Sequence, residues 1–420
     1  MLRRLFLALV LVALALPAWP AARLTYQLNG VAVPVSWQSS AFPLRYAIDR
    51  RVVTARPDME SIITRAFAEW TAVDDANLTF APAGVVDGAK AGKDGQNSIS
   101  LADDLFKDQH FLAVTTNWYD DSGHLAEADI QLDAGTMNGT CDLQQLVAHE
   151  VGHMLGLDHS GILSSVMYPY VGKVGAASLD TDEAIAMSEL YPKTNRSAAG
   201  ATLVGRVMGD GGPIFAAQVV ALSPSGEPIA SALTDQQGNF TIDGVPAGTY
   251  RLYAEPLDGP VNVQNLSGVW RNAKVTSFPT QFADGGAIAV ESGKVYGNLL
   301  VNVSGVVQLN PKWIGASSPD AADVSLAAAP ATVHAGDTIS LAVGGDGFTS
   351  GMTTFEVPSP SFHRISDFHY ASNYVSATYR IDANAASASA VILVKSGNES
   401  AALTGALRVT AKTRTRVARK

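Results

Sequence analysis

Between His149 and His159 the chain reads His-Glu-x-x-His-x-x-Gly-x-x-His, and Met167 follows a few residues on in Ser-Val-Met-Tyr-Pro. One helical turn apart, His149 and His153 project from the same face and can grip one metal ion. Glu150, between them, is placed to act as a general base on a metal-activated water. Gly156 lets the chain turn sharply, so that His159 can close the site. At roughly 5% usage per residue type, five fixed positions arise by chance in about 1 chain of this length in 10,000. The flanks agree with a helix that has a face to bury. Asp142 can cap it, with Gln145 at the capping-box spacing. Leu143, Leu146, Val147, Met154 and Leu155 lie near helical spacing.

The rest of the chain sets the scale around this stretch. Its 420 residues suggest two or three domains. A net charge of −10, with only 16% charged residues, excludes a nucleic-acid binder, because no broad basic surface exists to neutralise phosphates. Residues 1–22 read as an export signal: Arg3 and Arg4 start it, Leu5 to Leu16 form its apolar run, and small residues close it. That run is too short for an ordinary membrane span, and no later stretch is as apolar, so no stable span is expected after cleavage. The expected location is secreted or extracellular, with periplasm or cell surface as the alternative. Cys141 is the single cysteine, so no internal disulfide can form. It lies at the far end of the predicted helix from the metal site and reads as a buried, inert thiol.

Residues 23–192 read as one α+β unit. Leu44, Tyr46 and Ile48 alternate as a strand, and residues 57–72 read as a helix with Pro57 in its first turn. Strands are expected from Leu78, at 99–101, at 113–118 and through Ala128, Ile130 and Leu132, with a loop over 83–97. Asp180 and Glu183 form a capping box for a last helix ending near Tyr191. Residues 193–200 read as a linker, 201–305 as a β-sandwich, 306–318 as a second linker, 319–411 as a second β-sandwich, and 412–420 as a basic tail.

The residues over 36–193 resemble the matrixins, the metzincin group that includes the matrix metalloproteases and their bacterial relatives. The resemblance rests on Phe-Pro-Leu-Arg-Tyr-Ala-Ile at 42–48, Ala-Phe-Ala-Glu-Trp at 66–70, Glu-Ala-Asp-Ile at 127–130, Ser160 after the third histidine, and Tyr168 after Met167. It implies one catalytic zinc on His149, His153 and His159, Glu150 as general base, and Met167 as an apolar floor that is not a ligand. It also implies that strand 113–118 is an edge to which an extended peptide adds. Pro169 would help wall the pocket for the side chain after the scissile bond. Two departures stand out. The 81–112 region lacks the His-x-Asp loop of the vertebrate structural zinc, so no structural zinc is predicted. The wall runs Pro169-Tyr170-Val171 where the family usually shows Pro-x-Tyr.

Residues 200–305 resemble the carboxypeptidase-regulatory-like β-sandwich, through Thr234-Asp235, Gly238-Asn239-Phe240 and Val245-Pro246-Ala247-Gly248-Thr249-Tyr250. Residues 319–411 more weakly resemble an immunoglobulin-like IPT/TIG sandwich. Both imply spacer, stabiliser or adhesion roles toward a cell-surface or matrix ligand. Asp120, Asp121, Asp129 and Asp133 could supply oxygen ligands for calcium, with solvated turn aspartates as the other reading. The expected function is a secreted zinc endopeptidase acting on protein or peptide substrates. The competing reading is a surface adhesin whose sandwiches carry the function beside a subsidiary or inactive protease domain.

Overall fold

A computed structural model describes residues 23–28, 31–102, 111–139, 141–171, 179–195, 200–259, 261–271, 273–321 and 324–411. The expected signal segment and basic tail lie outside the described residues, as do His110 and 196–199 of the expected linker.

The first unit is built on a five-stranded sheet in the order Phe80–Val86, Leu44–Asp49, Ser98–Ala102, Leu125–Asp133, Ala113–Tyr119. The first four strands run parallel, and Ala113–Tyr119 pairs antiparallel at the edge. Inner strands are covered on both faces, so Ala47, Ile48, Ile130 and Leu132 are all buried. Helix Met59–Thr71 buries Met59, Ile62, Ile63, Ala66, Phe67 and Trp70 against this sheet and the histidine-bearing helix Leu143–Met154. Phe67 stacks on Tyr46 with ring centroids 4.1 Å apart. The Trp70 indole N–H donates to the Ala148 carbonyl at 2.9 Å and joins the two helices.

The structure adds two elements and shifts two expected ones. A hairpin ahead of Trp37 pairs Thr25–Leu28 with Val31–Pro34. A separate short helix, Arg50–Ala55, precedes the long one, because the Asp49 carboxylate accepts from Arg51 N and caps it. The long helix then begins at Met59, past Pro57, and the Asp58 carboxylate accepts from Arg56 at 2.9 Å. Residues 83–86, expected in a loop, extend the strand Phe80–Val86, because Leu44–Asp49 offers parallel pairing that a glycine does not prevent.

The rest of the chain is two β-sandwiches. The first packs Pro228–Leu233, Gln218–Leu222, Gly248–Glu255 and Gln281–Val290 against Asn239–Val245, Ala201–Gly209 and Val295–Val303. The second packs Asn310–Ser317, Thr338–Asp346, Tyr374–Ile381 and Phe362–Arg364 against Ala331–His334, Glu399–Thr410, Ser389–Ser396 and Thr353–Glu356. The stretch 306–318, read from sequence as a linker, thus holds a paired strand, and Leu309 and Ile314 enter the second sandwich core. Pro311 and Gly315 had hidden its alternation.

The three units share side chains. Leu163 and Tyr168 of the first unit are buried in the second sandwich core, and Ile185 is buried in the first. At the start of helix Thr181–Leu190, Asp182 accepts from Ser231 N at 2.7 Å, and Thr181 donates to Glu227 at 2.8 Å. Glu255 bridges the sandwiches, accepting from Gln218 Nε2 at 2.9 Å and Thr404 Oγ1 at 2.6 Å. Burial raises Asp182 to about 7, and raises Glu183 and Glu255 to about 8. In the unfolded chain a glutamate ionises near 4.5. Between that value and about 8 the folded state keeps protons that the unfolded chain has released, so stability falls as pH rises through the window. Glu255→Gln keeps both accepted bonds and removes one such group. The expected result is a shallower loss of melting temperature from pH 5 to pH 8, read by calorimetry.

Candidate metal centre

Asp142 accepts from Gln144 N and Gln145 N at 3.0 and 3.1 Å and starts the helix Leu143–Met154. That helix carries His149, Glu150 and His153. It stops at Gly156, whose φ of +95° suits glycine, and a Cβ there would also lie 2.2 Å from the Val35 carbonyl oxygen. The chain then turns back and brings His159 to the pair. The candidate ligand nitrogens of His149, His153 and His159 all lie within 4.8 Å of one another. Ring centroids are 4.7, 5.1 and 4.8 Å apart.

Each ring is held through its other nitrogen. His149 Nδ1 donates to the Val166 carbonyl at 2.8 Å, and His153 Nδ1 to the Leu157 carbonyl at 2.8 Å. His159 Nδ1 donates to the carbonyl of Asn265, which belongs to the first sandwich. A carbonyl only accepts, so each Nδ1 carries the proton and each Nε2 is left with a lone pair. Burial lowers His149 to about 3 and lowers His153 well below the usual histidine range, with neighbouring imidazoles adding to both. Three imidazoles whose Nε2 atoms converge on one point fit a zinc ion with an open fourth position.

Glu150 is buried beside this point, and burial raises its carboxyl to about 7. The Thr115 hydroxyl, from the edge strand Ala113–Tyr119, donates to Glu150 Oε2 at 2.6 Å and partly offsets that rise. A group near 7 can both take and return a proton at neutral pH. Asn117, two residues along the same strand, donates to the His153 carbonyl at 3.0 Å. Thr115 and Asn117 were not singled out in the sequence, where the strand's alternation alone was visible.

Met167 is buried against the metal-bearing helix. A Cβ on Gly152 would lie 2.2 Å from Met167 Sδ and 3.0 Å from Trp70, so this glycine gives the close approach. Met167 N donates to Glu183 Oε1 at 2.7 Å, and its carbonyl accepts from Ser160 N at 2.9 Å. Glu183 also accepts from Asp180 N and completes the capping box read in the sequence. Pro169 is half-buried and Tyr170 is 50% exposed, while Tyr168 is drawn away into the second sandwich, donating to the Ala328 carbonyl at 3.1 Å. Cys141 is half-buried, and burial raises its thiol.

Among the described residues, the three histidines are the one group of His, Cys, Asp or Glu side chains close enough to share an ion. Of the four aspartates considered for calcium, three have carboxylates that accept from nearby N–H or O–H groups. Asp129 accepts from Gly92 N, Ser98 N and Ser98 Oγ, Asp120 from Ser122 N and His124 N, and Asp133 from Gly135 N.

Replacing Gly152 tests the packing that sets the helix over Met167. Gly152→Val inserts three carbons where Met167 and Trp70 already touch, and overpacking of this kind costs about 1–3 kcal/mol. The expected outcome is a lower denaturation midpoint, with Trp70 fluorescence altered in the folded state.

Comparison with known proteins agrees with this geometry. The matrixin family model matches residues 36–192, and the carboxypeptidase regulatory-like domain model matches residues 202–264. Karilysin of Tannerella forsythia is 42% identical over 57 residues, covering 13% of this chain and 12% of its own. Metalloendoproteinase 2-MMP of Arabidopsis thaliana is 27% identical over 147 residues, covering 32% of this chain and 37% of its own. The hatching enzyme of Paracentrotus lividus is 45% identical over 64 residues, covering 15% and 11%. The chain thus spans well under half the length of these three relatives. Among solved structures, the major pilin subunit of Bacillus cereus overlaps 50% of this chain and 70% of its own at 9% identity, and its TM-score of 0.18 carries no argument. The family match and the histidine geometry meet on the same residues: positions 36–192 of this chain are a matrixin domain, followed by a carboxypeptidase regulatory-like domain and a further β-sandwich.

Proposed function

We propose that this chain is a secreted zinc-dependent endopeptidase that hydrolyses peptide bonds of extracellular proteins. The observation that carries the reading is the set of three histidines, each locked by a backbone carbonyl with Nε2 facing inward, beside the buried Glu150. His149, His153 and His159 would hold the zinc. Zinc bound there would polarise a substrate carbonyl and acidify water.

Glu150 takes a proton from the attacking water and returns it to the departing amine, so no covalent acyl-enzyme is needed. Thr115 keeps the Glu150 carboxylate oriented and lowers its proton affinity from the value burial alone would set. Among the described residues no strand pairs with the outer side of the edge strand Ala113–Tyr119, and an extended substrate can add there as a sixth strand. Pro169 and the exposed Tyr170 stand at the wall for the side chain after the scissile bond, and the exposed Phe111 stands just before the edge strand. An apolar contribution to substrate preference follows from these side chains. Export is supported by the N-terminal signal pattern, and among the described residues no helix is long and apolar enough to cross a membrane.

The test is cleavage of a peptide library by the purified full chain, with and without a chelator, with cut sites read by mass spectrometry. Cleavage should stop with the chelator and return on adding zinc. Glu150→Gln should keep a full equivalent of zinc and lose about 10²–10⁴ in kcat. Retained activity in that variant, or chelator-insensitive cleavage, overturns the proposal. Acid should release zinc as the histidines protonate, which a zinc-sensitive dye titration from pH 7 to pH 4 reads directly.

A further inference from the structure

We infer that the first β-sandwich is part of the metal site, with segment 261–271 positioning His159. This rests on the reading of His149, His153 and His159 as metal ligands. Two of those imidazoles are held by carbonyls of the matrixin domain, Val166 and Leu157. The third is held by the carbonyl of Asn265, 106 residues further along and in another domain. A partner on the far nitrogen of a ligand histidine fixes its ring and its tautomer, and loss of such a partner typically weakens metal binding 10–100-fold.

The carbonyl of Asn265 is itself held on three sides. Within the segment, the Asn262 side chain accepts from Gln264 N at 2.9 Å, and the Asn265 side chain accepts from Asn262 N at 3.0 Å, fixing the turn Val263–Asn265. Beneath it, Val263, Leu266 and Trp270 are buried in a small core with Ala216, Leu233 and Leu257, so the turn is anchored to its own sandwich. Across the boundary, Asp158 joins the two domains. One carboxylate oxygen accepts from His159 N at 2.8 Å; the other accepts from Ser267 N and Ser267 Oγ, both at 2.7 Å. The residue before the ligand therefore grips the residue two past the carbonyl that orients it. Asp158 is 3% exposed, so this bridge is shielded from competing water. Gly268 follows at φ +59°, and a Cβ there would lie 2.2 Å from Thr25 Oγ1, so the segment also rests against the N-terminal hairpin.

Asp158 and Ser267 are thus positioning residues, acting through Asn265 and His159. The experiment uses the full chain, stripped and reloaded, and reads the zinc dissociation constant by chelator competition and the visible spectrum of the cobalt-substituted protein. Asp158→Asn leaves one acceptor oxygen for donors on both sides, and zinc binding should weaken about 10–100-fold with shifted cobalt bands. Ser267→Ala, wholly on the sandwich side, should weaken zinc several-fold, and Ser267→Thr should retain the wild-type constant. Melting of the metal-free proteins shows whether each variant folds; if Asp158→Asn does not, the Ser267 pair decides. Wild-type zinc affinity and an unchanged cobalt spectrum in folded Asp158→Asn or, failing that, Ser267→Ala overturn the inference. Failure of the wild-type chain to take up zinc at all overturns instead the metal reading beneath it.

Discussion

The site depends on three backbone carbonyls, each aimed at the Nδ1 of a histidine. A histidine free to rotate or to change tautomer also samples arrangements that present the wrong nitrogen, and it loses that freedom when an ion arrives. Here the Leu157 carbonyl is set by the left-handed turn at Gly156. The Val166 carbonyl is set by the loop around Met167, which Glu183 ties to the start of helix Thr181–Leu190. The Asn265 carbonyl is set by a different domain. Each belongs to a separate stretch of chain, so the metal-binding geometry is a property of the assembled molecule.

This dependence explains why the domain boundaries are so heavily tied. The loop 160–170 lies between the metal-bearing helix and both sandwiches. Arg408 donates to the Ser164 carbonyl, Leu163 N donates to the Thr404 carbonyl, and a Cβ on Gly161 would lie 1.9 Å from Gln218 Oε1. Buried carboxylates at Asp182 and Glu255 satisfy donors at these boundaries and are driven toward their neutral forms by burial. The sandwiches are packed against the site, which a linker-and-spacer arrangement would not require.

Much of the local structure was legible because it obeys short-range rules. The metal-bearing helix announces itself by its apolar spacing and by Asp142, and its end by Gly156. The Asp180–Glu183 box and the alternating strands follow the same logic. Misreadings fell where a long-range partner outweighed local preference. Residues 83–86 found Leu44–Asp49, and residues 310–317 found Thr338–Asp346. Polar and glycine content in those stretches signals a loop until the neighbouring strand is known.

By itself the sequence determined the three histidines, the glutamate between two of them, and the turn that returns the third, because all of these are spaced within one helix and its end. Only the tertiary structure decided that Thr115 meets Glu150, that Glu183 holds Met167, and that Asn265 holds His159. Those partners are hydrogen bonds between groups far apart in the chain, two of the three involving backbone atoms that any residue would supply. No residue type or spacing encodes them, so they arise only when packing brings the segments together.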